Sequence, residues 1–191
     1  MKRFFDLLVV LIAIILLFPV FLISFLIVLI SDGLPIFYSQ KRVGLDGKFC
    51  NLYKFRSMKK GSDKFGSTTF INDNRIFYGG NFLRKYKIDE LPQLINVLRG
   101  EMSIVGPRPT VLEDYSKMTK EQKKRNTVLP GLTGLAQISG NTFLTWPERI
   151  ILDLEYIEKQ SFIYDLQIMF KTFVMIVSNK IDSETNDEGE W

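Results

Sequence analysis

Two adjacent carboxylates, Asp89 and Glu90, lie in the run Lys-Ile-Asp-Glu-Leu-Pro-Gln-Leu with cations on both sides. Arg84, Lys85 and Lys87 come just before the pair, and Arg99 and Arg108 come after it. Leu91, Leu94, Ile95 and Leu98 recur at helical spacing, and Gly100 follows as a stop. Pro92 fits a first helical turn, where the N–H it lacks would have no partner. A helix start among cations suits a phosphate ligand. In such a site a carboxylate can act as nucleophile or hold a metal ion. The plainer reading makes Asp89 an N-cap and Glu90 an acidic first-turn residue. The pair by itself leaves both readings open.

Composition narrows the chemistry. The 191 residues contain no histidine, so a catalytic site must rely on carboxylates, lysine or arginine. The single cysteine, Cys50, excludes an internal disulfide framework and a zinc site of the Cys/His kind. Net charge is +4, but the segment from Asp182 to Trp191 holds five acids and no base, which leaves +9 on the remainder. That polar tail is expected to be disordered. A basic body suggests phosphate ligands, anionic lipid or nucleic acid.

The N-terminus chooses among these partners. The 27 residues from Phe4 to Ile30 are apolar except for Asp6, Pro19 and Ser24. A straight helix of that length spans roughly 40 Å, against roughly 30 Å of hydrocarbon. The run is longer than the apolar stretch of a signal peptide, and no small-x-small cleavage site precedes Asp32. A membrane segment is expected, and nucleic acid is set aside as a partner. The segment either crosses once, with Pro19 as a kink, or re-enters, bent at Pro19. Basic residues at both ends (Lys2 and Arg3; Lys41, Arg42 and Lys48) suit the re-entrant form, and charge and proline alone leave the two open.

The middle of the chain reads as a compact domain that must position the carboxylates. Ile36-Phe37-Tyr38 and Lys48 to Phe55 flank Gly44-Leu45-Asp46-Gly47, a hairpin signal. Lys59 to Asn74 is polar and glycine-rich, hence a loop. Gly61 to Thr68 resembles a nucleotide-binding glycine loop but lacks its lysine and a preceding strand, and is rejected. Arg108 sits between Pro107 and Pro109, a stiff backbone that suits either a pre-aimed phosphate clamp or an ordinary turn. Thr119 to Gln122 opens a short basic helix ending near Arg125, with its charges on a solvated face. Pro130 to Gln137 is a loop of backbone N–H donors, with Gln137 open between a ligand contact and a structural hydrogen bond. Ile150, Ile151, Leu154 and Ile157 form one helical stripe. A second runs from Phe162 to Val177, too short and polar to cross a bilayer, and suits the membrane interface or the core.

Taken together, these segments resemble the small monotopic phosphoglycosyl transferases of the bacterial sugar-transferase family. The resemblance runs from about Lys2 to Ile181. It is carried by Lys2 to Asp6, Lys54 to Met58, Arg84 with Asp89 to Gln93, Val105 to Pro109 and Pro130 to Gln137. It implies a mainly α fold with a small β-hairpin. Residues 1–31 would form a re-entrant membrane helix broken at Pro19, 32–181 a cytosolic catalytic domain with interfacial amphipathic helices, and 182–191 the acidic tail. The implied location is the cytoplasmic face of the inner membrane, on its inner leaflet, with a homodimer left open.

The implied reaction moves a sugar phosphate from a nucleotide diphosphate sugar, usually a UDP-sugar, to polyprenol phosphate. Asp89 would attack the sugar-side phosphate and Glu90 would assist, the two carboxylates helping to hold Mg²⁺. Arg84, Arg108, Lys54, Arg56 and Gln137 are the phosphate or substrate contacts the resemblance implies. Adjacent helical residues point about 100° apart, so the pair cannot flank a glycosidic bond as glycosidase carboxylates do. Two departures stand out. Phe18 precedes Pro19 where the family commonly has serine, and Ile138-Ser139-Gly140-Asn141-Thr142 lacks an arginine often found there. Two rivals are a lipid-phosphate hydrolase, which would release free sugar phosphate without a lipid acceptor, and a membrane-anchored scaffold, which has no use for this charged constellation.

Overall fold

A computed structural model describes residues 2–62, 73–140 and 143–178. The apolar N-terminal run forms one helix, α1 (Lys2–Asp32), whose helical assignment continues through Pro19. The buried Ser24 hydroxyl donates to the Val20 carbonyl at 2.7 Å, a local back-bond one turn beyond the proline. Both ends of α1 pack on the same globular domain. At the start, Lys2 pairs with Asp165 at 2.5 Å, and Arg3 donates to the Val97 and Leu98 carbonyls at 2.6 and 3.1 Å. The buried Asp6 accepts from the Ser103 hydroxyl at 2.8 Å. At the other end, Val28 is buried among Ile36, Phe55, Phe77 and Leu83. Between these anchors Ile15, Leu16, Phe18, Leu22 and Ile23 are exposed.

The expected hairpin is present. Strand β1 (Phe37–Val43) pairs antiparallel with β2 (Phe49–Phe55), Phe37 opposite Phe55 and Val43 opposite Phe49. Asp46 and Gly47 both adopt positive φ, 52° and 75°, and the Lys48 N–H donates to the Leu45 carbonyl at 2.9 Å. Positive φ at both central residues matches the strand twist, which is why Asp-Gly marks such turns. Helix α2 (Gly80–Lys85) leads to a 3₁₀ segment, Ile88–Gln93, and then α3 (Leu94–Arg99). Gly100, at φ 81°, stops α3 as its spacing predicts.

Strand β3 (Ser103–Val105) then runs parallel to β4 (Gly131–Thr133), a pairing too short to leave a period in the sequence. Helices α4 (Leu112–Lys117), α5 (Leu135–Ile138), α6 (Trp146–Lys159) and α7 (Phe162–Val177) complete the described chain. The main core gathers Val10, Leu52, Leu94, Val97, Met102, Val105, Tyr156 and Ile168 from α1, the hairpin, α3, β3, α6 and α7. Helix α7 buries Asp165 and Ile168 but leaves Phe162, Ile163, Phe170, Phe173 and Val177 exposed. The glycine loop from Gly61 to Thr68 falls mostly outside the described residues. Asn141, Thr142 and the acidic tail lie outside them altogether.

Candidate active site

The carboxylate pair sits on the 3₁₀ segment, not at the cap of an α-helix. The residue preceding that segment is Lys87, a non-glycine residue in the left-handed region at φ 55°. This conformation costs a lysine about 1–2 kcal/mol. The turn it makes leads the chain directly into Asp89, which is only 6 % exposed. Asp89 is therefore not an N-cap. Its Oδ1 is buried and has no hydrogen-bond partner among the described residues. An open acceptor on a buried carboxylate is unusual and marks a place where a ligand atom can sit.

Glu90 has the opposite environment. Lys54 Nζ donates to Oε1 at 2.8 Å, and Arg108 donates to Oε1 at 2.7 Å and to Oε2 at 3.3 Å. Lys54 comes from β2, packed beside the 3₁₀ segment, and Arg108 from the loop after β3. A forked arginine–carboxylate pair of this kind fixes orientation as well as charge. Burial would push the Glu90 carboxyl up, but Arg108 and Lys54 together outweigh it and hold it well below the usual carboxylate range. Burial pushes the Asp89 carboxyl up. Lys54 opposes that rise, Glu90's charge adds to it, and Arg84 and Lys87 oppose it further. Two neighbouring carboxylates are thus driven apart, a pattern that separates chemical roles.

Two further cations join the site: Lys87, which the sequence already placed beside the pair, and Arg42, which sequence spacing did not connect with it. Lys87 is lowered, chiefly by burial. Arg42, from β1, is lowered to about 10, by burial first and then by the charge of Arg108. Lys54, Arg84, Lys87, Arg108 and Arg42 all act on Asp89 or Glu90, so cations outnumber the two acids, with Asp114 beside Arg42. An excess of positive charge suits a phosphate ligand.

Arg56 and Gln137 make other contacts. Arg56 does not reach the pair: it donates to the Asp32 carbonyl at 3.0 Å and pairs with the Asp32 carboxylate at 3.1 Å, closing the end of α1. Gln137 donates to the Leu132 carbonyl at 3.0 Å, while its Oε1 is buried without a hydrogen-bond partner among the described residues. The segment from Pro130 to Gln137 is not an open ring of donors. The Gly131 N–H donates to the Pro107 carbonyl at 2.9 Å, and the Gly106 N–H donates to Thr133 at 2.9 Å. A Cβ on Gly131 would stand 2.1 Å from the Gly106 nitrogen. The two glycines are what let these loops lie back to back, so this segment supports the Arg108 loop. Arg125 is a further correction: its side chain is 2 % exposed and pairs with Asp153 at 2.6 Å, so it is no part of a solvated face. The Thr119 capping box does form, with the Thr119 N–H donating to Gln122 at 2.8 Å, but it opens a 3₁₀ turn (Gln122–Thr127) and not an α-helix.

The bacterial sugar transferase family profile matches residues 1–179. An uncharacterised sugar transferase of Bacillus subtilis, EpsL, is 37 % identical over 97 % of this chain and 92 % of its own length. The exopolysaccharide production protein ExoY of Sinorhizobium fredii is 38 % identical over 90 % of this chain and 83 % of its own. The UDP-glucose:undecaprenyl-phosphate glucose-1-phosphate transferase of Escherichia coli K12 is 40 % identical over 94 % of this chain, which matches 41 % of that longer protein. A match along nearly the whole chain, with the charged pair and its cations assembled in one place, establishes that this protein belongs to the bacterial sugar transferase family.

Proposed function

We propose that this protein is a polyprenyl-phosphate sugar-1-phosphate transferase that takes a sugar phosphate from a UDP-sugar and works through a covalent Asp89 intermediate. The observation that carries the reading is the division of the pair: Asp89 buried with an open oxygen, Glu90 pinned by Lys54 and Arg108. In the first step an Asp89 oxygen attacks the sugar-side phosphorus. A P–O bond forms to the carboxylate, the P–O bond to the nucleoside monophosphate breaks, and UMP leaves with the bonding pair. In the second step an oxygen of polyprenol phosphate attacks the same phosphorus. The Asp89 carboxylate is released, and the product is a polyprenyl diphosphate sugar. The excess positive charge around the pair steadies the oxygens that gain charge as each bond breaks.

Glu90's part is to hold Lys54 and Arg108 in place. A magnesium ion fits this donor set: Asp89 Oδ1 is open, and Glu90 uses three of its roughly four acceptor positions. When bound, such an ion would share the diphosphate charge with the cations.

The arrangement of α1 supports a monotopic placement, and a soluble nucleotide-sugar donor would put that placement at the inner leaflet, on the cytoplasmic face. A helix that crosses a bilayer has its ends about 30 Å apart on opposite faces. Here Arg3 and Asp6 at one end, and Val28 and Asp32 at the other, meet one and the same domain. The exposed apolar middle of α1 and the exposed face of α7 would then lie in lipid together.

The test is incubation with a panel of UDP-sugars, with and without polyprenol phosphate. UMP release that needs the lipid for turnover, and a sugar-phosphate mass increment on Asp89 with donor alone, are expected. EDTA should stop the reaction and added Mg²⁺ restore it. Normal turnover by a folded Asp89→Asn variant would overturn the covalent route, and free sugar phosphate as the product would favour hydrolysis.

A further inference from the structure

Arg108 has a weakness as a clamp. Its side chain is 43 % exposed, and its long stem is held at the tip by Glu90. The aim of such a side chain depends on how firmly its own backbone is fixed. The flanking prolines restrict φ but provide no N–H to anchor the loop. The anchoring comes from elsewhere. The Gly131 N–H donates to the Pro107 carbonyl at 2.9 Å, and the Val43 N–H donates to the Thr110 carbonyl at 2.8 Å. The carbonyl of Arg108 itself is met by a side chain, Arg125 Nη2, at 2.8 Å.

That side chain is held rigidly. Asp153 Oδ2, from α6, accepts from Arg125 Nε at 2.8 Å and from Nη2 at 2.6 Å. Both partners are 2 % exposed. A buried ion pair adds little stability over an apolar pair of the same volume. What it supplies that an apolar pair cannot is a fixed N–H at the Arg108 carbonyl. The next residue, Asn126, donates to the Gly44 carbonyl at 2.9 Å, beside the hairpin that carries Arg42 and Lys54. One short segment therefore grips both the Arg108 loop and the hairpin turn.

We propose that Arg125, held by Asp153, is a positioning residue that sets the aim of Arg108 for the transfer reaction. This rests on the reading of Arg108 as a phosphate clamp given above. Arg125 does not touch the substrate. Its effect passes through the Arg108 backbone, and so it should vanish when the Arg108 side chain is absent.

The first variant replaces the pair together, Arg125→Met with Asp153→Leu, which removes the donor without stranding a buried charge. A melting temperature close to the parent, with kcat for UMP release lower by about tenfold to a hundredfold, is expected, since small misplacements of a catalytic group cost about that much. Parent-like kcat in the folded double variant overturns the proposal. The second variant, Arg125→Lys, keeps a charge for Asp153 but loses the planar fork that reaches two acceptors at once. It is measured in the parent and in an Arg108→Ala background, and it decides the matter if the apolar pair does not fold. A fall of about tenfold in the parent and none in Arg108→Ala supports positioning through Arg108. Equal falls in both backgrounds overturn it and point to general packing. If Arg108→Ala alone turns over like the parent, the clamp reading itself fails, and this inference with it.

Discussion

Arg108→Ala separates chemistry from stability more cleanly than any other change in the site. The parent guanidinium makes two bonds to Glu90, at 2.7 and 3.3 Å, and is 43 % exposed. Truncation leaves Glu90 still paired with Lys54 at 2.8 Å, so no carboxylate is stranded. With the arginine this open to solvent and Glu90 still paired, the loss of stability is about 0.5–1 kcal/mol. In a domain of this size that is a fall of about 1–4 °C in melting temperature. The loss in rate should be far larger. Removing one preorganised donor from developing transition-state charge typically lowers kcat by about 10²–10³, or roughly 3–4 kcal/mol. The assay is UMP release in detergent or lipid discs, with donor saturating, next to a thermal melt of the same sample. Arg108→Lys should recover part of the rate, because a point charge replaces half the function of a fork. A folded Arg108→Ala variant whose kcat lies within threefold of the parent would refute the reasoning.

Glu90→Gln removes a neighbouring negative charge and frees Lys54 to face Asp89. Burial still holds Asp89 up, but both changes lower its pKa, so the acid limb of the pH–rate profile should move to lower pH; an unmoved limb would mean that another group titrates there. Gly131→Ala places a Cβ 2.1 Å from the Gly106 nitrogen, where only backbone could yield. It should destabilise by about 3 kcal/mol or more, and a melt within 2 °C of the parent, well below the shift that loss implies, would contradict the close approach of the two loops. For topology, a cysteine near Met1, in a chain with Cys50 replaced, should resist a membrane-impermeant thiol reagent on intact cells. In a Pro19→Leu variant, whose uninterrupted helix is better suited to a straight crossing, it should become labelled. Labelling in the parent would show a simple crossing.

Much of this protein is decided by residues close together in the sequence. A nearly continuous apolar run made α1, Asp46-Gly47 made the hairpin turn, and Gly100 ended α3, because turn chemistry and helical periodicity act over a few positions. The same locality marked Asp89-Glu90 and the cations beside them as a place for chemistry. What it left undecided was the difference between the two acids. They are neighbours with the same charge, and only the chain path brings Lys54 and Arg108 to Glu90 while leaving an oxygen of Asp89 open. The path also adds Arg42, diverts Arg56 to the end of α1 and buries Arg125 against Asp153. These pairings join segments far apart in sequence, and the burial that sets their strength exists only after folding. The physical reason is the range of the forces involved. Backbone preference is written residue by residue, whereas desolvation and charge pairing depend on whatever the tertiary fold sets alongside.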